Sequence, residues 1–281
     1  MSNVIFVADF FREDGVGGAE INDGVFIDFL KENNLLYEKR YSSHVTLEYI
    51  NENIDKTWII GNFAHLHPVN LALLTKNCEY YLYEHDYKFL ANRNPIDYPD
   101  FVAPKEKLIL INFYKMAKKV ICLSKLQQDI FLKNMDLKNT ININCSLFSD
   151  EQLNLLKGIN KIPKSKKNAI IDSSLPTKKI KETEQYCKEN NIQYDLISHT
   201  DNKEFLKILS QYEKLYFMTG HPEPTPRVAV EAKALNCKFI APRHLIGVSY
   251  EYWFELSGDD LIEEVRNIRE KAFSLFMEYF S

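Results

Sequence analysis

Two glutamates eight positions apart, Glu223 and Glu231, stand in the stretch whose residue types are best suited to chemistry. Pro224 and Pro226 keep the first glutamate out of any helix, since proline removes a backbone donor. Thr225 fits a helix N-cap and Pro226 the first helical position, so Glu231 lies inside the helix. Amides at a helix start bind phosphate, and carboxylates accept hydrogen bonds from hydroxyl groups. The pattern therefore predicts a site for a phosphorylated sugar.

The spacing of Glu223 and Glu231, with a helix of small residues after it, resembles a family motif. It is similar to the Glu-x7-Glu motif of the retaining GT-B glycosyltransferases usually called GT4. The resemblance implies that Glu223 contacts the donor sugar and is a catalytic residue, and that Glu231 contacts the nucleotide ribose. From the residues alone, a capped helix in which Arg227 pairs with Glu231 remains an alternative.

A second segment, residues 173–180, stands where this family has Arg-Leu-x-x-x-Lys-Gly, a clamp for the donor diphosphate. Aligned on Leu175, the clamp lysine is Lys179, and Lys178 is the alternative one residue earlier. Ser174 stands where the family has its arginine, and a solvated lysine pair is the competing interpretation. The resemblance implies that one or both lysines bind the donor.

Arg227 is predicted to compensate in part for the arginine missing at Ser174. It lies in the first turn of the motif helix, where the helix dipole already favours an anion. A guanidinium there can hold a phosphate through two hydrogen bonds. The alternative is that Arg227 only pairs with Glu231 and orients it.

A glycine-rich loop, residues 14–20, lies between the first predicted strand and the first predicted helix. The family has a Gly-Gly-x-Glu run here, so the resemblance implies that Gly17 and Gly18 bind the donor. Glycine permits close backbone approach. Glu20 stands where a dinucleotide-binding fingerprint needs its third glycine, so that fingerprint is not met. A tight strand-to-helix turn would show the same residues.

Two further strand ends carry polar residues that the resemblance places near the donor. His85 precedes Asp86 after a predicted strand, where the family often has a His-Asp pair, which makes His85 a candidate catalytic residue. The competing interpretation is a loop histidine paired with Asp86. Ser124 closes another strand before a helix, and its resemblance to the family implies donor binding. Capping of that helix would also account for Ser124.

Metal ligands are not predicted. His65 and His67 have a spacing seen in metal sites, but no third ligand is evident. We expect lysine, Arg227 and helix amides to stabilise the leaving diphosphate by electrostatic catalysis. The nucleotide-sugar is a substrate, so no cofactor and no metal is expected.

Strands alternate with helices along the chain, which predicts parallel sheets. Strands are predicted at 4–8, 58–60, 80–83, 120–123, 168–172, 194–198, 215–218 and 238–241. Helices are predicted near 19–33, 68–76, 105–118, 124–134, 179–190, 202–212, 226–236 and 259–279. The fold class is therefore α/β, with two Rossmann-like doubly wound domains. By resemblance to GT-B proteins, the domains face each other across a cleft, and the C-terminal helix packs back on the N-terminal domain.

A basic stretch with proline and glycine, residues 157–167, is interpreted as the linker between domains. The predicted domains are 1–157, on the acceptor side, and 168–258, on the donor side. The C-terminal helix, 259–281, has one apolar stripe.

Composition restricts the class of protein. The formal charge of −4 argues against general coating of nucleic acid. No apolar run reaches the roughly 20 residues of a membrane span. Five scattered cysteines without a C-x-x-C pair indicate a reduced, cytoplasmic chain.

The expected activity is transfer of a sugar from a nucleotide-sugar to a glycan, a small molecule or modified DNA, with retention. Lys- and Asn-rich usage fits an AT-rich genome, including those of many phages, so a phage-type enzyme acting on modified DNA bases is one alternative. A catalytically silent nucleotide-sugar binding protein is another, since Ser174 replaces the clamp arginine.

Overall fold

The computed structural model describes residues 3–15, 17–173, 176–198 and 200–281, with Pro176 described by its backbone only. Ser174 and Leu175, used above to align the clamp, lie outside the described residues. The chain forms two compact units. Unit 1 runs up to Leu147 and includes Arg269–Ser281, and unit 2 is Phe148–Ile268.

Unit 1 contains a parallel sheet in the order β2-β1-β3-β4-β5-β6. Its strands are β1 (Val4–Ala8), β2 (Leu36–Tyr41), β3 (Thr57–Ile60), β4 (Glu79–Tyr83), β5 (Val120–Cys122) and β6 (Thr140–Asn142). Its helices are α1 (Gly18–Glu32), α2 (Leu47–Glu52), α3 (Pro68–Asn77), α4 (Ile111–Met116) and α5 (Lys125–Met135). Each strand is parallel to its neighbours, so their carboxyl ends lie at the same edge of the sheet.

Both faces of this sheet are buried, as expected when crossover helices cover a parallel sheet. Successive residues of β1 show the alternation. Ile5 and Val7 belong to one hydrophobic cluster, together with Trp58 of β3. Phe6 belongs to the cluster on the opposite face, with Phe26 of α1. Unit 1 therefore has three layers, with hydrophobic clusters on both faces of its sheet, as in a doubly wound fold.

Unit 2 contains a smaller parallel sheet in the order β10-β9-β7-β8. Its strands are β7 (Lys166–Ile171), β8 (Asp195–Ile197), β9 (Tyr212–Tyr216) and β10 (Lys238–Ile240). Its helices are α6 (Asp150–Ile159), α7 (Ile180–Glu189), α8 (Asn202–Leu209) and α9 (Arg227–Ala234), and α10 (Gly258–Phe280) begins here. The predicted linker, 157–167, contains the end of α6 and the start of β7, so it lies within unit 2. Its lysines and proline belong to the short connection between α6 and β7. Such a connection within a domain has the same composition as a linker between domains, so composition did not distinguish the two.

The C-terminal half of α10 packs on unit 1, as predicted. Phe276 stacks on Phe26 with ring centroids 4.1 Å apart, and Phe273 stacks on Phe29 at 4.3 Å. Phe280 is buried in the same cluster. Within the described part of the chain, no helix has the length and apolarity needed to cross a membrane.

Candidate functional site

Ligands of doubly wound sheets bind beyond the carboxyl ends of the strands, where the strand order reverses. In unit 2 the reversal lies between β7 and β9, and in unit 1 between β1 and β3. The segments that follow β7 and β9 carry Lys178 and Glu223, and the segment that follows β1 leads into α1. Each unit therefore places predicted site residues at its own switch point.

Lys178 and Glu223 form the ion pair at the switch point of unit 2. The ammonium Nζ lies 2.6 Å from the carboxylate Oε1, and the two side chains are 27% and 12% exposed. His221 Nε2 lies 3.5 Å from the same oxygen. The backbone of Glu223 is fixed as well, since its N–H donates to Leu245 O and its C=O accepts from Gly247 N, both at 2.8 Å. The ion pair therefore positions the Glu223 carboxylate, and the two backbone hydrogen bonds position its main chain.

The structure distinguishes the two candidate clamp lysines. Lys179, the N-cap of α7, has left-handed backbone geometry with φ of 48°, and its ammonium lies 2.9 Å from the carboxylate of Glu182 in the same helix. Its side chain also covers Gly220, where an added Cβ would lie 2.8 Å from Lys179 Cε. Lys178 instead contacts Glu223, so Lys178 is the lysine that shares a site with the sugar-binding candidate.

The start of α9 differs from the sequence prediction. Pro226, not Thr225, is the N-cap residue, and it makes no side-chain cap. Helical geometry begins at Arg227, since Pro226 itself is extended, with φ of −64° and ψ of 113°. Glu231 consequently lies in the second turn and is 6% exposed. Burial raises the pKa of its carboxyl, and the charge of Arg227 acts in the opposite direction.

Arg227 is enclosed within unit 2. Its guanidinium lies 3.8 Å from the centre of the Phe148 ring, and Nη2 donates to Gln152 Oε1 at 3.1 Å. Nε lies 4.0 Å from Glu231 Oε1. The side chain is 7% exposed. This placement favours the orienting role over the phosphate contact predicted from the sequence.

If Glu231 accepts hydrogen bonds from ribose hydroxyls, as the resemblance implies, its substitution by glutamine removes a charged acceptor and should weaken nucleotide binding by about 1.5–3 kcal/mol, roughly 10- to 150-fold. Because burial raises the pKa of this carboxyl, binding should also weaken as the pH falls toward that pKa. Calorimetry with nucleoside diphosphates and with the corresponding nucleosides measures both effects.

Arg227→Lys provides the matching test of orientation. If the arginine acts only through Glu231, the substitution should weaken nucleoside and nucleoside diphosphate binding equally and should have no effect in a Glu231→Gln background. A loss confined to the diphosphate, and present in both backgrounds, would support the phosphate contact.

In unit 1, His85 lies two residues beyond β4 and is paired with Asp23 of α1. Nε2 of the histidine is 2.6 Å from Oδ1 of the aspartate, and the side chains are 7% and 1% exposed. The predicted alternative partner, Asp86, instead contacts Lys88 at 2.9 Å and Arg93 at 3.2 Å. Burial alone would lower the pKa of His85, but the charge and hydrogen bond of Asp23 outweigh it and raise that pKa.

A buried charged network fixes the segment that carries His85. Lys88, 3% exposed, lies 3.1 Å from Glu84 Oε2, and Tyr114 OH donates to Glu84 Oε1 at 3.0 Å. Gln127 Nε2 of α5 donates to the carbonyls of Glu84 and Asp86 at 3.1 and 3.3 Å. Because the surrounding charges are balanced and bonded, the backbone at His85 is rigidly positioned.

The glycine loop leads into α1, and the carboxylate of Glu20 lies near Gly17 at the start of that helix. Gly17 is the N-cap and Gly18 the first helical residue. Burial raises the pKa of the Glu20 carboxyl, while the backbone amides of Glu20 and Gly17 act in the opposite direction, and Glu20 Oε2 lies 3.4 Å from where a Cβ on Gly17 would be. A carboxylate therefore occupies the helix start where the resemblance places donor phosphate. Val16, in the same loop, lies outside the described residues.

Ser124 is fully buried and caps α5, where its hydroxyl oxygen accepts from Gln127 N at 3.4 Å. The capping interpretation therefore accounts for it. His67 likewise caps α3, since its Nδ1 accepts from Val69 N at 3.3 Å. Among the described residues, no three histidine, cysteine or acidic side chains cluster as metal ligands.

Asp9, which the sequence analysis did not single out, lies at the edge of the unit 1 sheet where the carboxyl ends of the strands meet. Its carboxylate, beyond the end of β1, accepts from Ala64 N at 2.8 Å, from His65 N at 3.0 Å and from the Ser42 hydroxyl. Asp9 thus joins the segments that follow β1, β2 and β3. Asp23 and Gln127 were missed too. No residue pattern marked Asp23, because a charged residue within a predicted helix is ordinarily exposed.

Comparison with protein-family models finds no match, and comparison with curated protein sequences finds none either. Solved structures do match. Anabaena HepE in complex with UDP and glucose has a TM-score of 0.50 and 14% identity, over 96% of this chain and 89% of that chain. An alpha-glucosyltransferase in complex with UDP-glucose and DNA containing an abasic site has a TM-score of 0.51 and 11% identity, over 96% and 90%. At these identities the similarity shows the fold alone. It is the GT-B fold of two Rossmann-like domains, which confirms the fold class predicted from the sequence.

Proposed function

We propose that this chain is a glycosyltransferase that takes a sugar from a nucleotide-sugar donor and transfers it to an acceptor hydroxyl. The observation that carries the proposal is the ion pair of Lys178 and Glu223, 2.6 Å apart at the switch point of unit 2. An ammonium group suits a diphosphate, and a carboxylate suits sugar hydroxyls. Lys178 is thus the partner proposed for the diphosphate of the donor, and Glu223, beside it, is the partner proposed for the sugar. Glu231 is the partner proposed for the ribose.

The pair also suits the chemistry. In transfer, the bond between sugar C1 and the phosphate oxygen breaks, and its electron pair stays on the diphosphate. The acceptor oxygen bonds to C1, and its proton passes to a phosphate oxygen. Lys178 would stabilise the growing negative charge, while Glu223 would hold the sugar through its hydroxyls. Retention of the anomeric configuration is proposed with it, and it rests on the resemblance of Glu223 and Glu231 to the family motif.

The donor is proposed to be a UDP-sugar, because both HepE and the alpha-glucosyltransferase were solved with UDP or UDP-glucose. A thermal-shift screen over UDP-, GDP-, ADP-, TDP- and CDP-sugars tests this, since a ligand of the native state raises the melting temperature. UDP-sugars are expected to raise it most. Equal shifts, or none, with all nucleotides would contradict the assignment.

Activity is expected to persist in EDTA. Lys178 and the amides at the start of α9 can carry the diphosphate charge without a divalent ion. UDP release is measured in an excess of EDTA and again after Mg²⁺ or Mn²⁺ is added back. Activity that disappears on chelation and returns with either ion would contradict metal independence.

For the acceptor, we propose a neutral hydroxyl compound rather than DNA. The formal charge of the chain is −4, and a net negative charge disfavours a polyanion. Parallel assays with free sugars and with hydroxymethylated DNA distinguish the two classes. Transfer only to DNA would contradict the proposal and support the DNA-modifying alternative.

A further inference from the structure

Asp23 is a buried carboxylate whose hydrogen bonding is almost entirely directed at one residue. Its Oδ1 lies 2.6 Å from His85 Nε2, although the residues are 62 positions apart in the chain. Its Oδ2 is buried and has no hydrogen-bond partner among the described residues. A carboxylate with an unused oxygen is costly to bury. Such a departure from ordinary packing is expected where a group serves function.

The pair determines which nitrogen of His85 can act. A carboxylate only accepts hydrogen bonds, so Nε2 must carry the proton. In the neutral ring, Nδ1 is then an acceptor, and in the imidazolium it is a donor. We propose that Asp23 is the positioning residue of His85, holding the Nε2–H form so that Nδ1 is the atom that acts on the substrate. This inference rests on the proposed function.

Gly61, directly after β3, supports the same arrangement. A Cβ added there would lie 3.1 Å from Asp23 Oδ2, so a larger residue would push the carboxylate. Glycine at this position therefore allows α1 to approach the strand end closely enough for Asp23 to reach His85.

Charged groups from two elements face His85. Glu20 and Asp23 come from α1, while Glu84, Asp86 and Lys88 come from the segment after β4. Burial and Lys88 lower the pKa of His85, but Asp23 and Glu84 raise it, with a net increase. The imidazolium therefore persists to higher pH than in an ordinary histidine, and while the ring is protonated Nδ1 is a donor. Any step that uses this donor is lost as the pH rises through the raised pKa.

The test compares wild type with Asp23→Asn, with Asp28→Asn as the control. Asp28 lies on the same helix, is ion-paired with Arg12 and makes no contact with His85. Long-range ¹H–¹⁵N NMR reports the protonated ring nitrogen, and His85→Gln identifies the His85 signals among those of seven histidines. Wild type should show Nε2–H and a pKa above about 6.5. Asp23→Asn should lower that pKa by at least about one unit.

Turnover of UDP-glucose is measured on the same three proteins. Asp23→Asn should lower kcat by about 10²-fold, and the basic limb of its pH profile should move to lower pH. Asp28→Asn should match wild type in both measurements. Melting temperatures show whether Asp23→Asn remains folded.

Three results would overturn the proposal. The first is a proton on Nδ1 rather than Nε2 in the uncharged imidazole of wild-type His85. The others, both in Asp23→Asn, are an unchanged His85 pKa and a lowered His85 pKa with unchanged kcat. Wild type that neither binds nor cleaves nucleotide-sugars would overturn the proposed function and the substrate role of Nδ1. The NMR measurement on wild type would still decide whether Asp23 sets the proton position of His85.

Discussion

Replacing Glu223 by glutamine is expected to lower kcat by about 10²- to 10³-fold while leaving UDP affinity within a few-fold of wild type. Free UDP lacks the sugar that Glu223 is proposed to hold, so only turnover should depend on the carboxylate. The substitution also frees Lys178 from its ion pair, which favours UDP binding. Kinetics with UDP-glucose and calorimetry with UDP measure the two quantities.

The matched control for Glu223→Gln is Glu213→Gln. Glu213 is exposed on β9, the strand that leads to the Glu223 segment. The control should match wild type in both measurements. Equal losses of turnover and UDP affinity in Glu223→Gln would show that Glu223 is structural.

Substitution of Lys178 by methionine is expected to lower kcat/KM by about 10²- to 10³-fold, because the diphosphate loses the ammonium that faces its growing charge. UDP affinity should fall as well, by about 1.5–3 kcal/mol for one charged hydrogen bond. Uridine affinity should not change, because uridine carries no phosphate. Methionine keeps a similar length, so packing against Phe217, whose ring lies 5.2 Å from the ammonium, is largely retained.

Lys181→Met is the control for this substitution, since Lys181 is exposed on α7, three residues further along. It should leave kinetics and UDP affinity unchanged. A larger loss in Lys179→Met than in Lys178→Met would transfer the clamp to Lys179.

Much of the fold was predictable because buried parallel strands are short apolar runs. Val4–Ala8 and Thr57–Ile60 are buried and were recognised from their apolar residues. Edge strands carry less signal. Leu36–Tyr41 has mostly charged and aromatic residues, and Thr140–Asn142 is short and half-buried, so both were missed. Helix α4 is Ile111–Met116, shorter than the predicted 105–118, because Lys105–Lys107 form a 3-10 turn, Leu108 is extended and Leu110 has left-handed backbone geometry.

The site was predictable where its residues are close in sequence. Glu223 and Glu231 lie on one loop and the helix that follows, so their spacing and the flanking prolines predicted these positions in the fold. Asp23 and His85 come from separate elements, and only the sheet topology brings them together. Alignment on Leu175 favoured Lys179 over Lys178 as the clamp lysine, whereas in the structure Lys179 has a positive φ and its side chain pairs with Glu182.

The most direct test of the central claim follows UDP-glucose by ¹H NMR with the full chain, with and without added free sugars, in wild type and Glu223→Gln. The account predicts time-dependent release of UDP by wild type, an α-linked glucosyl product from the α-linked donor, and a rate about 10²-fold lower in Glu223→Gln. No release of nucleotide from UDP-glucose or from any other nucleotide-sugar, together with no binding of the nucleotides themselves, would contradict it.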